Sequence, residues 1–219
     1  MKINFLGDSI TEGAGASCAE EKYVNVVGRL LGCEVRNFGV GGTRIARQTV
    51  PSEVGIYDED FLKRSEKMPF DADMVFVFGG TNDYGHGDAE LGSIDSDNVY
   101  TFCGAVNVLV EKLSKKYGKE KVCFILPLHR YDEGNLYGEG NKKKAGFSLS
   151  VYVETLICLL MQKNVAFLDL RQHFPIPQTN TGDAYTVDGL HPNPLGHRLI
   201  AEKIVEYIQE KQKTYEKGV

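Results

Sequence analysis

Lys2–Gly15 reads KINFLGDSITEGAG, and how this stretch folds decides how the rest of the chain is read. A short run of β-branched and aromatic apolar residues stops abruptly at Gly7-Asp8-Ser9. An apolar run of that length, closed by glycine, predicts a buried strand. Glycine allows a sharp turn at its end, so Ser9 is expected where strand gives way to loop, at the edge of a sheet. In open α/β sheets the ligand crevice lies outside those carboxyl ends. Ser9 is therefore placed to be a nucleophile if partners exist elsewhere in the chain. Taken alone, the stretch reads equally well as a phosphate-binding turn or a structural one.

The same pattern recurs along the chain. Glu34–Val40 (EVRNFGV) predicts a second strand running into Gly41-Gly42-Thr43. Asp73–Phe78 (DMVFVF) predicts a third, ending in Gly79-Gly80-Thr81-Asn82-Asp83. Lys121–Leu128 and Asn164–Leu170 predict the fourth and fifth. Between them lie helical patterns. Ser17 and Glu20 have the spacing of a capping box, ahead of Tyr23, Val26, Val27, Leu30 and Leu31. A short helix is expected around residues 58–67, and another on Phe102, Cys103, Val106, Val110 and Leu113. Two more carry the stripes Leu149, Tyr152, Val153, Leu156, Ile157, Leu160, Met161 and Leu195, Leu199, Ile200, Ile204, Val205, Ile208. Strands alternating with helices, and covered on both faces, predict a parallel three-layer α/β/α sandwich. By analogy the expected order is the flavodoxin-like 2-1-3-4-5. Residues 1–219 are expected to form a single domain.

Bulk properties narrow the function classes. The 219 residues carry a net charge of −5, which leaves no electrostatic footprint for nucleic acid. The run Lys142-Lys143-Lys144 sits in a polar loop and reads as solvated. No apolar stretch has transmembrane length, and the amino terminus enters its first strand at once, so a cytoplasmic protein without membrane insertion is expected. The five cysteines are scattered, with no C-x-x-C pair, which disfavours a disulfide framework and a zinc site. No metal or cofactor is expected.

Acyl transfer needs a nucleophile, a base, a group that orients the base, and donors for a developing oxyanion. Ser9 supplies the first, and the N–H groups of Ser9 and Gly42 with the Asn82 amide suit the last. A missing Cβ at Gly42 would let substrate approach the backbone. The base is sought at Asp188-x-x-His191. Pro192 keeps His191 out of a helix, while Asn193 and Pro194 read as an N-cap and first helical position. Asp188 can then accept from one ring nitrogen of His191 while the other faces Ser9. Asp8 and Asp83 are expected to pin their loops through N–H groups, and His197 to be a partly exposed helical residue.

These residues spell out a resemblance. Gly7-Asp8-Ser9, Asn37-x-x-x-x-Gly42, Gly80-x-Asn82-Asp83 and Asp188-x-x-His191 resemble, in order, the four blocks of the GDSL or SGNH-hydrolase superfamily. Ile10 replaces the leucine usual after the serine. The resemblance implies a flavodoxin-like fold and metal-free ester hydrolysis, with Ser9, His191 and Asp188 as triad and Ser9, Gly42 and Asn82 as oxyanion hole. Arg44, His86, His129 and Arg130, all near the same rim, are expected to contact substrate by position, with an interloop salt bridge an equal reading for the two arginines. With Tyr84, this polar rim favours a small or polar ester, an acetylated sugar among them. Two alternatives stand beside it: an acyltransferase using the same triad, and a non-catalytic phosphate- or nucleotide-binding module. The loop 129–147 is longer than most connections in compact domains, as functional loops often are.

Overall fold

The structure, a computed structural model, describes residues 1–140 and 142–216. Five parallel strands form one sheet: β1 (Lys2–Gly7), β2 (Glu34–Gly39), β3 (Met74–Phe78), β4 (Val122–Ile125) and β5 (Ala166–Leu168). Their order is β2-β1-β3-β4-β5, as expected by analogy. The helices are α1 (Ser9–Glu12), α2 (Tyr23–Leu31), α3 (Phe61–Lys67), α4 (Thr81–Gly85), α5 (Phe102–Tyr117), α6 (Leu149–Lys163) and α7 (Pro194–Glu216).

Side-chain alternation along the strands builds a core on each face. Leu6, Val75, Val77 and Phe124 pack with α3, α5 and α6. Ile3, Phe5, Phe76, Phe78 and Ile125 pack with α2 and α7 on the other face. The result is a three-layer sandwich. The chain leaves β1 toward β2 on one side and later reaches β3 on the other, so the topological switch point lies between β1 and β3. Gly7 pairs with both Gly39 and Phe78, so the three strands end at one level.

Several local expectations are corrected. No capping box forms at Ser17 and Glu20. Ser17 Oγ donates to Glu21 instead, a 3₁₀ turn occupies Ala19–Glu21, and α2 starts after Lys22 without a side-chain cap. Leu30, Met161 and Leu195 are exposed, because each apolar stripe is wider than the arc its helix buries. His197 is fully buried, not partly exposed. Asn193 does cap α7, its Oδ1 accepting from Gly196 N at 3.0 Å. Among the described residues no helix is long and apolar enough to cross a membrane.

Gly7 is required for contact more than for turning. A Cβ there would lie 1.9 Å from Thr11 Oγ1 and 2.8 Å from the Phe78 carbonyl oxygen. At Gly39 a Cβ would stand 2.2 Å from the main-chain nitrogen of Glu12. Backbone gives way less readily than a flexible side chain, and overpacking of this kind costs about 1–3 kcal/mol or more. Gly39→Ala is expected to lose about 3 kcal/mol of stability; urea unfolding monitored by circular dichroism measures it.

Candidate active site

Ser9 is the first residue of α1, directly after β1, so strand passes into helix where a loop was expected. Asp8 caps that helix, its Oδ1 accepting from Ile10 N at 3.0 Å. Ser9 N–H lies in the first turn, where no intrahelical partner exists. The N–H groups of Glu12, Gly13 and Ala14 donate to carbonyls of Asp8 and Ser9.

From the far end of the chain, the segment before α7 delivers His191. Its Nε2 lies 2.9 Å from Ser9 Oγ, and its Nδ1 lies 2.7 Å from Asp188 Oδ2. The other Asp188 oxygen accepts from His191 N at 2.7 Å and Leu190 N at 3.0 Å. Both side chains are thus held by the turn that carries them. Burial pushes the Asp188 carboxyl up, but the hydrogen bonds from His191 outweigh it and hold the group below the usual carboxylate range. The three residues expected as a triad stand in one hydrogen-bonded line.

His197 secures this segment. Tyr23 N–H donates to its Nδ1 at 3.3 Å, so Nε2 carries the proton and donates to Ala14 O at 3.0 Å. Burial holds its pKa below the usual histidine value. The first turn of α7 is thereby tied to the chain that leaves Ser9. No sequence signal separated this histidine from a surface one.

Opposite His191 stand the expected oxyanion donors. The N–H groups of Ser9 and Gly42 have no hydrogen-bond partner among the described residues. Asn82 is buried, and one of its amide hydrogens goes to Thr43 O at 2.9 Å; an amide nitrogen carries a second. Gly42 has φ +71°, and a Cβ would strike the ring of Tyr57 at 2.4 Å. Glycine is demanded there by backbone and by Tyr57, not by room for substrate. Asp83 accepts from Ile45 N at 3.0 Å and Ala46 N at 2.9 Å, pinning the segment beyond Gly42. Glu12, another residue the sequence did not single out, accepts from Gly41 N at 2.8 Å.

The residues expected to touch substrate divide. Arg44 is 4% exposed and bonds Asp58, Ser52, the Tyr57 carbonyl and His86, while its buried Nε–H has no partner among the described residues. Arg130 is 1% exposed, paired with Asp132 and Glu139 and bonded to Thr81. The ion pair of Arg44 stays within the connection between β2 and α3, and those of Arg130 within the loop 129–147. His129 bonds Glu133 at 2.8 Å. His86 differs. Its Nδ1 accepts from Arg44 at 3.1 Å, so the neutral ring carries its proton on Nε2, which has no partner among the described residues. Burial, helped by neighbouring cations and opposed by Glu139, keeps the ring below the usual histidine pKa. His86 borders a cleft of about 860 Å³, walled by residues 48–53, 86–92 and 142–147. Ser9, Asp188 and His191 do not line it, and neither do Gly42 and Asn82; Arg44 does. The loop 129–147 packs onto α4 through Glu139 N–H to Gly85 O, 2.8 Å, and Lys142 Nζ to Asp83 O, 2.9 Å.

The sequence profile of the GDSL-like lipase/acylhydrolase family matches residues 5–199, which contain every residue of this arrangement. The chain belongs to that family. It is accordingly a hydrolase of ester bonds. A protein from Lactobacillus plantarum of solved structure is 29% identical, with 95% of this chain and 96% of that one covered and a TM-score of 0.79. Two others share the fold at 23% identity and a TM-score of 0.66. They are a lipase/acylhydrolase from Enterococcus faecalis, covering 96% of each chain, and an acetyl xylan esterase, covering 95% of this chain and 100% of its own. No curated protein matches the hydrolase.

Asp8, directly before the expected nucleophile, is fully buried, and burial raises its pKa to about 6. A carboxyl whose folded pKa exceeds its unfolded value of 3.8 favours the folded state when protonated and opposes it once ionised. The penalty therefore grows as pH rises from about 4 through about 6. Asp8→Asn removes the charge and keeps the capping oxygen. Its melting temperature relative to the parent is expected to be higher at pH 8 than at pH 4, by thermal circular dichroism; an equal difference at both would contradict the shift.

Proposed function

We propose that the chain is a serine esterase that works through an acyl-enzyme on Ser9, as one catalytic domain spanning residues 1–219. The observation that carries this is the continuous line from Ser9 Oγ through His191, at 2.9 and 2.7 Å, to Asp188. His191 Nε2 takes the Ser9 proton as Oγ attacks the ester carbonyl. The carbonyl oxygen becomes an oxyanion, held by Ser9 N–H, Gly42 N–H and the second Asn82 amide hydrogen. Asp188 keeps the proton of His191 on Nδ1 and stabilises the imidazolium. Collapse of the intermediate breaks the ester bond, and His191 returns its proton to the departing alcohol. Water then repeats the sequence on the acyl-enzyme, with His191 as base again, and releases the acid and Ser9. Transfer of the acyl group to a second alcohol would use the same groups; product analysis with an added alcohol separates the two.

The substrate we propose is a small or polar carboxylic ester, acetylated sugars included. Arg130 lends this no support, since its guanidinium is spent inside the protein. Support comes instead from the Nε2–H of His86 and from the exposed Lys143 and Lys144 at the cleft. Acetyl esters are expected to show higher kcat/KM than octanoyl esters of the same alcohol in a p-nitrophenyl series; the reverse order would rule out a small acyl group.

Ser9→Ala is expected to abolish labelling by a fluorophosphonate and turnover of p-nitrophenyl acetate. Asn82→Ala should lower kcat by about 10²–10³ while the protein stays folded, the usual loss for one oxyanion donor. Turnover by Ser9→Ala at the parent rate would sink the assignment.

A further inference from the structure

Arg64 lies on α3, outside every sequence motif described above, and its side chain is 5% exposed. A buried guanidinium is costly unless it is well paired. Yet no carboxylate bonds to Arg64, and all its hydrogen bonds go to neutral oxygens. Nη1 donates to Gly7 O at 2.9 Å and to Phe38 O. Nη2 donates to Thr43 Oγ1 at 2.7 Å, and Nε to Glu59 O at 2.9 Å. The group also lies over the Phe61 ring, 4.6 Å from its centroid. Burial lowers its pKa to about 10, against the opposing fields of Asp8, Asp60, Glu59 and Glu12, so it stays charged at neutral pH.

The acceptors share a property. Gly7 ends β1, two residues before Ser9 N–H. Phe38 stands at the end of β2, from which the chain runs to Gly42. Thr43 follows Gly42 directly, and its carbonyl takes the amide of Asn82 at 2.9 Å. Thr43 Oγ1 in turn donates to Val40 O at 2.6 Å, closing the segment that bears Gly42. One planar group with donors in a rigid fork therefore touches the supports of all three expected oxyanion donors. A lysine ammonium, a point charge on a flexible stem, has no such fork.

We propose that Arg64 is a positioning residue for the oxyanion hole, setting the spacing of Ser9 N–H, Gly42 N–H and the Asn82 amide from behind. This rests on the reading that those three groups face the developing oxyanion. Misplacement by about 1 Å is enough to cost about 10²-fold in rate, so the role should appear in kcat.

A double-mutant cycle of Arg64→Lys and Asn82→Ala, followed with p-nitrophenyl acetate, tests it. Arg64→Lys alone is expected to lower kcat about 10- to 100-fold, with KM changed less than about threefold. In the Asn82→Ala background the same change should cost less than about threefold, because groups acting as a unit are non-additive. A merely structural arginine would show losses that multiply across the cycle, and that result, or full kcat in Arg64→Lys, overturns the proposal. Should Arg64→Lys fail to fold by circular dichroism, Arg64→Gln, which keeps a planar donor but loses the fork and the charge, enters the same cycle with the same outcomes. Parent-level turnover in Asn82→Ala would overturn the oxyanion reading itself and the Arg64 role with it, and so is distinguishable from failure of the Arg64 role alone.

Discussion

The site depends on how closely two strand ends and one short helix approach each other. At Gly7 and Gly39 the carboxyl ends of β1 and β2 lie side by side, and α1 crosses them within van der Waals contact. A side chain at either glycine would push α1 outward and carry Ser9 with it. Because β3 ends at the same level, the loops bearing Gly42 and Asn82 start from the same platform. Side-chain bonds then close the assembly: Asn37 Nδ2 to Thr11 O at 2.7 Å, Glu12 to Gly41 N, Asn82 to Thr43 O. None of these contacts is chemically reactive. Together they hold a hydroxyl and its neighbouring N–H groups in place before any substrate arrives, which is the condition under which fixed dipoles stabilise a transition state without reorganising.

Charge is distributed unusually for an interior. Asp8, Asp83, Arg64 and Arg130 are all buried near the rim, although ionisable groups are seldom buried unless paired. Two solutions are visible. Arg130 is paired with Asp132 and Glu139 and locks the long loop onto α4. Asp8 and Asp83 are instead satisfied by main-chain N–H groups, with burial raising the pKa of each. The histidines divide in the same way. His197 and His86 are pinned as neutral rings by partners that fix which nitrogen carries the proton. His191, between a carboxylate and a hydroxyl, is the ring with an acceptor on one side and a proton donor on the other, the arrangement a general base requires.

Membership in the GDSL-like lipase/acylhydrolase family and the geometry of the site meet at one point, the rim above the β1–β3 switch. The cleft of about 860 Å³ is lined by Arg44 and His86 and by none of Ser9, Asp188 and His191. Its walls belong to segments 48–53 and 142–147, neither of which carries a family block. Loops of this kind can vary without disturbing the sheet that carries Ser9.

Much of this was legible from local pattern. Apolar runs closed by glycine located the strands, helical stripes located the helices, and the spacing of Asp188, His191 and Pro192 put a histidine in a loop. Those features are local, and local sterics act on them in any tertiary setting. What the pattern misread was orientation: Leu30, Met161 and Leu195 share stripes with core residues yet face solvent, and His197 sits in a polar stretch yet is buried. Arg44 and Arg130 were placed near the rim by the pattern, which gave no sign that most of their donors turn to partners inside the protein. Arg64, Glu12, Thr43 and Tyr57 carried no signal, since each matters only through residues distant in sequence. The sequence by itself thus determined the fold class, the four motif blocks and the expected Ser9, His191 and Asp188. Only the tertiary structure decided that Ser9 Oγ and His191 Nε2, 182 residues apart, come within 2.9 Å. It also decided which charged groups are buried and what they bond, because burial and hydrogen-bond partners are properties of the packed chain.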